Sequence, residues 1–281
     1  MNIDILTADE YKNLGIDNKA IFTDYALLNG GFYRKDFADK YGFYWTKSTN
    51  VFKEEKNKLF DWKHGFNTKI TNIDGDVNVI FYDGSTSIMP SFFRSGSARI
   101  VIKDINLDSN IKEVTCGYYP QDAADEFMQK MLEYYFKHGY LNKSGNIYLY
   151  AKDTLNDGKN NNYALNEEYE VDGKRYVRVK NNNYHYESLK LSNNERYNKK
   201  EYVWVEVKPV SFYYIHDKKM LVSKKLLFSG ICYNVKKDYI YGFEKTDLYN
   251  YLNIYLINEL LQEYKNNILK QDEDIVKLVR K

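Results

Sequence analysis

The sequence predicts an α+β fold in which short antiparallel strands are combined with two main helices. Strand-like segments of β-branched and aromatic residues recur along the chain, several of them beside Asp-Gly turns. Two long segments carry apolar residues at helical spacing, and they do not alternate with the strands as they would in a doubly wound sheet. No internal period indicates a solenoid or a propeller.

The first predicted element is a short helix. Thr7 and Glu10 form the pattern of a capping box, in which a hydroxyl and a carboxylate three residues apart satisfy free amides of the first turn. Gly15 then ends the helix. Further along, the pair Gly30-Gly31 predicts a turn.

Strands are predicted for much of the following segment. Residues 42–49 are rich in aromatic and hydroxyl side chains, as is typical of a strand. The dipeptides Asp74-Gly75 and Asp83-Gly84 predict hairpin turns, because type I′ turns need positive φ at both central residues.

Residues 93–98 predict a boundary, since small and polar side chains here precede a new apolar strand. We therefore expect two parts. Residues 1–98 form an N-terminal β-rich segment, and residues 99–281 form the main α+β domain.

Two helices are predicted in the main domain. The first begins after Pro120 with Asp122 as its cap and ends at Gly139, whereas the second begins at Thr246. Each has an apolar stripe at helical spacing, which is expected to be its buried face. The stripes are Ala124, Phe127, Met128, Met131, Leu132 and Tyr135 in the first helix, and Leu248, Tyr251, Leu252, Tyr255, Leu256 and Leu260 in the second.

The strongest hairpin pattern surrounds Asp172-Gly173 within residues 169–179. A strand follows over residues 202–207, with Val203, Val205 and Val207 on one face. Two further strands, residues 212–215 and 220–222, flank a turn at Asp217-Lys218.

Composition limits the classes of partner and compartment. The 41 Lys and Arg residues nearly balance 39 Asp and Glu, so the net charge of +2 gives no global attraction for a polyanion. The 29 tyrosines fit either an AT-rich genome or a tyrosine-lined interface. With neither a signal peptide nor an apolar run of about 20 residues, we expect a cytoplasmic protein that does not contact a membrane.

Several segments together resemble a known domain family. The motif Gly117-Tyr118-Tyr119-Pro120-Gln121 before a helix is similar to the opening of an uncharacterised bacterial domain family, and residues 204–210, 221–225 and 246–253 resemble its later segments. Residues 44–48, 83–85 and 89–91 resemble its closing segment, so the segments stand here in permuted order. The family is related to the C-type-lectin-like fold, which formylglycine-generating enzymes also use, and the resemblance implies that scaffold.

The chemistry of those relatives is not implied for this chain. The neighbouring active-site cysteines of formylglycine-generating enzymes have no counterpart, because Cys116 and Cys232 lie in different contexts. The calcium-site tripeptides of sugar-binding lectins are also absent from the sequence. A fold resemblance by itself does not carry an activity.

The sequence contains few candidates for catalytic or metal-binding residues. The chain has no Gly-x-Ser-x-Gly, no Gly-rich phosphate loop, no His-Glu-x-x-His and no Cys-x-x-Cys motif, and we expect no cofactor, no metal and no catalytic residue. Cys232 between Ile231 and Tyr233 is expected to be a core residue. The four histidines, all far apart in sequence, are His64, His138, His185 and His216.

Lysine pairs interleaved with tyrosines predict a contact surface for a protein or a nucleic acid. Its candidate residues are Tyr184, Tyr186, Tyr197, Lys199, Lys200, Lys218, Lys219, Lys236 and Lys237.

The sequence therefore favours a non-catalytic protein-interaction module that presents tyrosines and the loops at residues 157–166 and 181–200. Its low-GC composition fits a phage or mobile-element protein that inhibits a larger host protein or nucleoprotein complex, such as a nucleic-acid-guided defence effector. One alternative is an enzyme whose site joins His185, Glu206, Cys232 or His216. Another is a small-ligand or glycan binder, which needs a concave aromatic pocket.

Overall fold

A computed structural model describes residues 2–17, 19–30, 44–49, 76–80, 86–90, 97–151, 163–183, 190–198, 200–234 and 242–260. It confirms an α+β fold with mostly antiparallel strands. The described strands are β1 (Ile3–Asp4), β2 (Ile21–Phe22), β3 (Tyr44–Thr49), β4 (Asp76–Ile80), β5 (Thr86–Pro90), β6 (Ser97–Ala98), β7 (Val101–Ile102), β8 (Glu113–Ala123), β9 (Asn142–Ala151), β10 (Tyr163–Val171), β11 (Lys174–Lys180), β12 (Tyr202–Ile215), β13 (Met220–Ser223) and β14 (Lys225–Leu226).

The helices differ greatly in length. Two single-turn helices, α1 (Ala8–Lys12) and α2 (Asp24–Leu28), lie near the N-terminus, and α3 (Glu126–Lys137) is the longest regular helix described. A C-terminal helix over residues 247–260 consists of α4 (Asp247–Asn250), a π-helical stretch (Tyr251–Leu256) and α5 (Ile257–Leu260).

β12 is the central strand of the main sheet. β8 pairs with one edge of β12 from Val205 to Tyr213. β11 and β13 share the other edge, β11 near Tyr202 and β13 near Ile215. The sheet consequently divides into two wings, β11-β10-β9 and β13-β7-β1.

Segments on both sides of residue 98 contribute to this architecture. β1 pairs with β7 at the end of the main sheet, and β6 pairs in parallel with β3 in a smaller four-stranded sheet. Ser97 is buried and donates a hydrogen bond of 2.6 Å to the carbonyl of Phe228. One hydrophobic cluster contains buried residues from Ile3 to Leu260.

The structure confirms the predicted local signals at the first helix and at the main hairpin. The Thr7 amide donates to Glu10 at 2.7 Å while the Glu10 amide donates to the Thr7 hydroxyl at 3.2 Å, which is a capping box. Asp172 and Gly173 both have positive φ between the paired residues Val171 and Lys174.

Pairing of β4 with β5 brackets the predicted Asp83-Gly84 turn, with Ile80 opposite Thr86. The Asp74-Gly75 turn and Asp83-Gly84 itself lie outside the described residues. The two strands predicted at residues 202–207 and 212–215 are one continuous strand, β12, so the strands are not all short.

The predicted start of α3 is wrong by three residues. Asp125, and not Asp122, caps the helix and accepts the Met128 amide at 2.9 Å. Residues through Ala123 belong to β8, because pairing with β12 outweighs the local tendency to begin a helix after Pro120. Proline is tolerated there because it lies at a register shift in the ladder.

The predicted buried stripe of α3 is also partly wrong. Leu132 is fully buried, and Met128 and Phe136, four residues to either side, pack against the same small cluster under the helix. Phe127 was expected in this stripe but is 73% exposed. The helix is therefore rotated relative to the predicted face.

The C-terminal helix agrees better with its prediction. Thr246 caps it and accepts the Tyr249 amide at 3.0 Å. The predicted residues of its apolar face are buried except Tyr255, which is 37% exposed. The wider π-helical turn changes the angular spacing at this point, so Tyr255 leaves the buried face.

Candidate functional site

The structure describes four of the nine residues of the predicted contact surface. They are Tyr197, Lys200, Lys218 and Lys219, whereas Tyr184, Tyr186, Lys199, Lys236 and Lys237 lie outside the described residues. Lys200 precedes β12, and Lys218 and Lys219 lie in the turn after it. A strand of 14 residues is about 40 Å long when extended, so these lysines do not form one patch.

The loop around Tyr197 is held by buried polar groups. The Tyr197 ring packs against the main core, its hydroxyl accepts from Asn193 at 3.0 Å, and burial raises the pKa of the phenol. Nearby, the carboxylate of buried Asp24 accepts the amides of Ser192 at 3.0 Å and Ala123 at 2.7 Å. Tyr197 therefore has a structural role that its sequence context does not reveal.

The described residues of the alternative enzymatic site lie in different environments and are not brought together. Cys232 is completely buried, as expected for a core cysteine, and His216 lies exposed in the turn after β12. Glu206 forms an ion pair with Lys208 at 3.1 Å. His64 and His185 lie outside the described residues, and within the described ranges no group of three His, Cys, Asp or Glu side chains is arranged to hold a metal ion.

Exposed hydrophobic side chains indicate a different surface. Nine large hydrophobic residues are exposed in the described part of the chain, and six of them lie on α3, immediately after it, or on the strands on the same side of the sheet. We call these six residues the α3 face: Phe127, Tyr134, Tyr140, Ile147, Leu165 and Tyr202.

Polar side chains attach α3 to the sheet. The Gln129 amide pairs with both backbone groups of Trp204, accepting its N–H at 2.8 Å and donating to its carbonyl at 2.7 Å. The Glu133 carboxylate accepts two hydrogen bonds of 2.9 Å from the Arg178 guanidinium and one of 3.2 Å from the Trp204 indole. These bonds fix which side of α3 faces outward.

The contact with Arg178 also lowers the pKa of the Glu133 carboxyl. Its two hydrogen bonds favour the charged form of Glu133, and the pKa of that carboxyl is below its usual value. Ionised Glu133 is thus the form that holds α3 in place.

A Schellman motif ends α3 and orients the aromatic side chains around it. The Tyr140 amide donates to the Tyr135 carbonyl at 2.9 Å and the Gly139 amide to the Phe136 carbonyl at 3.2 Å. Gly139 has φ of +72°, which the motif requires and glycine adopts without strain. The Tyr140 ring is consequently turned back against the last turn of the helix.

Four aromatic rings meet at this helix end, and we call them the aromatic cluster: Tyr134, Tyr135, His138 and Tyr140. Centroid separations are 6.1 Å for Tyr134–Tyr135, 6.2 Å for Tyr135–Tyr140 and 6.5 Å for Tyr134–Tyr140. The His138 ring lies 4.1 Å from that of Tyr134 and 5.7 Å from that of Tyr140. Tyr140 nevertheless remains 64% exposed.

The strand residues of the α3 face lie on the same side of the sheet as the helix. Phe136 of α3 contacts Tyr169 on one side of β10. Asn166 and Glu168 are buried on the other side, where they bond Tyr25 and Tyr148, so Leu165 shares the side of Tyr169. Ile147 is directly opposite Glu167, which shares that side. The Arg178 guanidinium lies over the rings of both Tyr202 and Phe136, so Tyr202 is on the side of α3.

Charged residues around the α3 face occur in pairs of opposite sign. Lys130 pairs with Glu126 at 2.6 Å, Lys137 with Glu133 at 3.5 Å and Lys143 with Glu167 at 2.8 Å. The surface therefore combines exposed aromatic rings with a rim of balanced charge.

Sequence reasoning missed this surface, although a signal was present. Seven of the twelve residues of α3 are Phe, Met, Leu or Tyr, which is more than a single buried stripe of a short helix accommodates. The excess implied that some aromatic residues would remain exposed.

Comparison with protein-family models, with curated proteins and with solved structures gave no significant match. The resemblance to the C-type-lectin-like family therefore stays a prediction. Within the described ranges, no helix has both the length and the apolar character needed to cross a membrane.

Proposed function

We propose that this chain is a non-catalytic protein-interaction module that docks a partner protein on the α3 face. The observation that carries the proposal is that, among the described residues, six of the nine exposed large hydrophobic side chains lie on this side of the sheet. Clustered exposed apolar residues with a polar rim are typical of protein interfaces. Tyr and Phe also supply large contact areas at low cost in side-chain entropy.

The rigidity of the α3 face favours this role. Gln129 and Glu133 fix the helix to Trp204 and Arg178, and the Schellman motif fixes Tyr140. Side chains that are already held in place lose little conformational freedom when a partner binds, so more of the contact energy contributes to affinity.

The charge pattern favours a protein over a nucleic acid. Binding to the phosphate backbone relies on several lysines or arginines that neutralise phosphates. On the α3 face Lys130, Lys137 and Lys143 are each paired with a carboxylate. A protein surface with its own mixed charges fits this rim better.

The finer parts of the proposal rest on sequence. We propose a cytoplasmic protein with a C-type-lectin-like scaffold. The family resemblance supports the scaffold, and the buried thiols of Cys116 and Cys232 support a reducing compartment. Composition supports a phage or mobile-element inhibitor of a host protein or nucleoprotein complex, so a nucleic acid would be reached only through that complex.

The test is a pull-down from host lysate with purified variants, with and without nuclease. The double variant Phe127→Ser and Tyr134→Ser removes two anchors from α3. The matched control, Ile21→Ser with Ile254→Ser, removes two exposed hydrophobic residues elsewhere. Crosslinking through a photoreactive residue at position 127 identifies what contacts the helix.

We expect a stoichiometric protein that survives nuclease, crosslinks to position 127 and binds the double variant at least about tenfold more weakly, since interface aromatics commonly contribute more than 1 kcal/mol each. The control should bind like the wild type. Equal capture by both double variants, or recovery of nucleic acid alone, would refute the proposal.

A further inference from the structure

The aromatic cluster at the end of α3 has chemistry that the rest of the α3 face lacks. Tyr134, Tyr135 and Tyr140 have centroids 6.1–6.5 Å apart, and their planes are inclined by 57–65° to one another. Tyr134 and Tyr140 are more than half exposed. The arrangement is a partly open group of rings and not a closed core.

Two features at this position favour positive charge. The face of an aromatic ring carries a negative quadrupole, which attracts ammonium and guanidinium groups. The C-terminal end of α3 also presents a partial negative charge from its last carbonyl groups. Because the Schellman motif holds Tyr140 at this end, both effects act at the same place.

The molecule contains its own examples of this contact. Arg178 lies 3.5 Å from the centroid of Tyr202 and 4.5 Å from that of Phe136, on the same side of the sheet. Arg175 lies 4.2 Å above Tyr118. Arginine therefore packs readily on aromatic rings in this fold.

The lysines beside the cluster are paired with carboxylates, and the His138 ring lies against Tyr134 and Tyr140, so a partner cation would approach the exposed remainder of these two rings. Lys137 is paired with Glu133, and Lys143 with Glu167. His138 donates a hydrogen bond from Nδ1 to the Tyr134 carbonyl at 2.8 Å, so one nitrogen is already engaged within the helix.

We infer that the aromatic cluster receives an arginine side chain of the docked partner. This inference rests on the proposed function and specifies the chemistry of the partner. Arginine is favoured over lysine because its planar guanidinium stacks on aromatic rings and is more weakly hydrated than an ammonium.

The probe is N-acetyl-arginine amide, titrated into the full chain and followed by the aromatic NMR signals of Tyr134 and Tyr140. N-acetyl-citrulline amide, which has the same shape without the charge, is the matched control. We expect shifts at least about threefold larger for arginine at equal concentration. Equal shifts from both compounds, or no shift from either, would overturn the inference.

Variants locate the contact. Tyr134→Leu and Tyr140→Leu keep an apolar side chain at exposed positions but remove the ring, and each should abolish the preference for arginine over citrulline. Persistence of the preference in both variants would place the arginine site elsewhere and contradict the inference.

The two proposals fail separately. If arginine and citrulline act alike while Phe127→Ser with Tyr134→Ser still loses the partner, the interaction module stands and only the arginine contact is wrong. If the double variant captures the partner as well as the wild type does, the proposed function is wrong. The inference of a partner arginine is then wrong too, even if the free probe binds.

Discussion

The two main helices are attached to the sheet in a similar way but place their aromatic side chains differently. Gln129 of α3 pairs with both backbone groups of Trp204, and Asn253 of the C-terminal helix does the same with Ile3, at 2.8 and 2.9 Å. The C-terminal helix buries Tyr251 and four leucines in the main cluster. In α3, every residue of which is described, Leu132 alone is buried.

The C-terminal helix is therefore part of the main core, whereas α3 covers a smaller cluster at the side of the sheet. The C-terminal helix packs against β1, β8 and β9 of the main sheet, and its apolar side chains belong to the main cluster, so they are needed for stability. α3 is held mainly by Gln129, Glu133 and a small cluster. Its outer aromatic residues Phe127 and Tyr134 are exposed, and we expect them to contribute little to folding.

The largest effect on the free energy of unfolding is expected from shortening a buried side chain of the C-terminal helix. Leu252→Ala should lower the free energy of unfolding by about 4 kcal/mol, because Leu252 is fully buried in the main cluster. Leu132→Ala in the small cluster beneath α3 should cost about 2 kcal/mol, since this cluster borders solvent and relaxes more easily. Urea unfolding measures both values. A larger loss for Leu132→Ala would contradict the comparison.

Two glycines test how closely each helix is packed. Gly117 and Gly139 have nearly the same φ, +70° and +72°, but an added Cβ on Gly117 would lie 2.5 Å from the Leu260 carbonyl oxygen, whereas nothing lies within 4 Å of one on Gly139. Gly139→Ala should cost about 1 kcal/mol for the positive φ, and Gly117→Ala about 3 kcal/mol because of the additional overlap. Equal losses in thermal or urea unfolding would show that the C-terminal helix packs loosely on β8.

A smaller effect should follow from the ion pair that holds α3. Because its pKa is lowered in the folded state, ionised Glu133 stabilises the fold above its unfolded pKa, and this contribution is lost as the pH falls through the folded value. Glu133→Gln should lower stability at pH 7 by about 1 kcal/mol, a modest value because the pair is partly solvated.

The same variant should lose less stability than the wild type between pH 5 and about pH 3, the range in which carboxyl groups of this kind titrate. Urea unfolding across this range measures the difference. As a control, Glu126→Gln alters an exposed pair on the outer side of α3 and should change the profile less, because solvent screens the hydrogen bond from Lys130 that lowers the pKa of Glu126. Identical profiles for Glu133→Gln and the wild type would argue against the pair as the attachment of α3.

The smallest effect is expected at the outer side of α3. Phe127→Ser should change the free energy of unfolding by less than about 0.5 kcal/mol, because a surface side chain without buried contacts contributes little to stability. Thermal unfolding checks this result. A loss comparable to that of Leu132→Ala would mean that Phe127 supports the fold and is not free for a partner.

Local signals in the sequence were sufficient for two of the three predicted helix caps and for the main hairpin turn. The capping box at Thr7, the Asp172-Gly173 turn and the Thr246 cap are confirmed because each depends on a few neighbouring residues and on their backbone preferences. The apolar face of the C-terminal helix was predictable for the same reason, apart from Tyr255, which the π-helical turn displaces.

These local signals did not predict the pairing of strands that are distant in sequence. Ladder bonds between β8 and β12 join residues about 90 positions apart, and they extend β8 through Pro120 to Ala123. That extension displaces the start of α3 to Glu126 and turns Phe127 outward. No local preference at Asp122 or Phe127 contains this information.

The α+β class, the two main helices and the turns at Asp172-Gly173 and Asp217-Lys218 could be predicted from the sequence, because they follow from the local periodicity and turn chemistry of the chain. The sequence did not show which tyrosines, lysines and hydrophobic residues share one exposed surface, and this became clear from the tertiary structure. It placed Lys200 and the pair Lys218-Lys219 at opposite ends of β12, packed Tyr197 against the core, and brought exposed aromatic residues together on the α3 face. The physical reason is that exposure depends on what covers a side chain, and in this protein the covering elements come from distant parts of the chain.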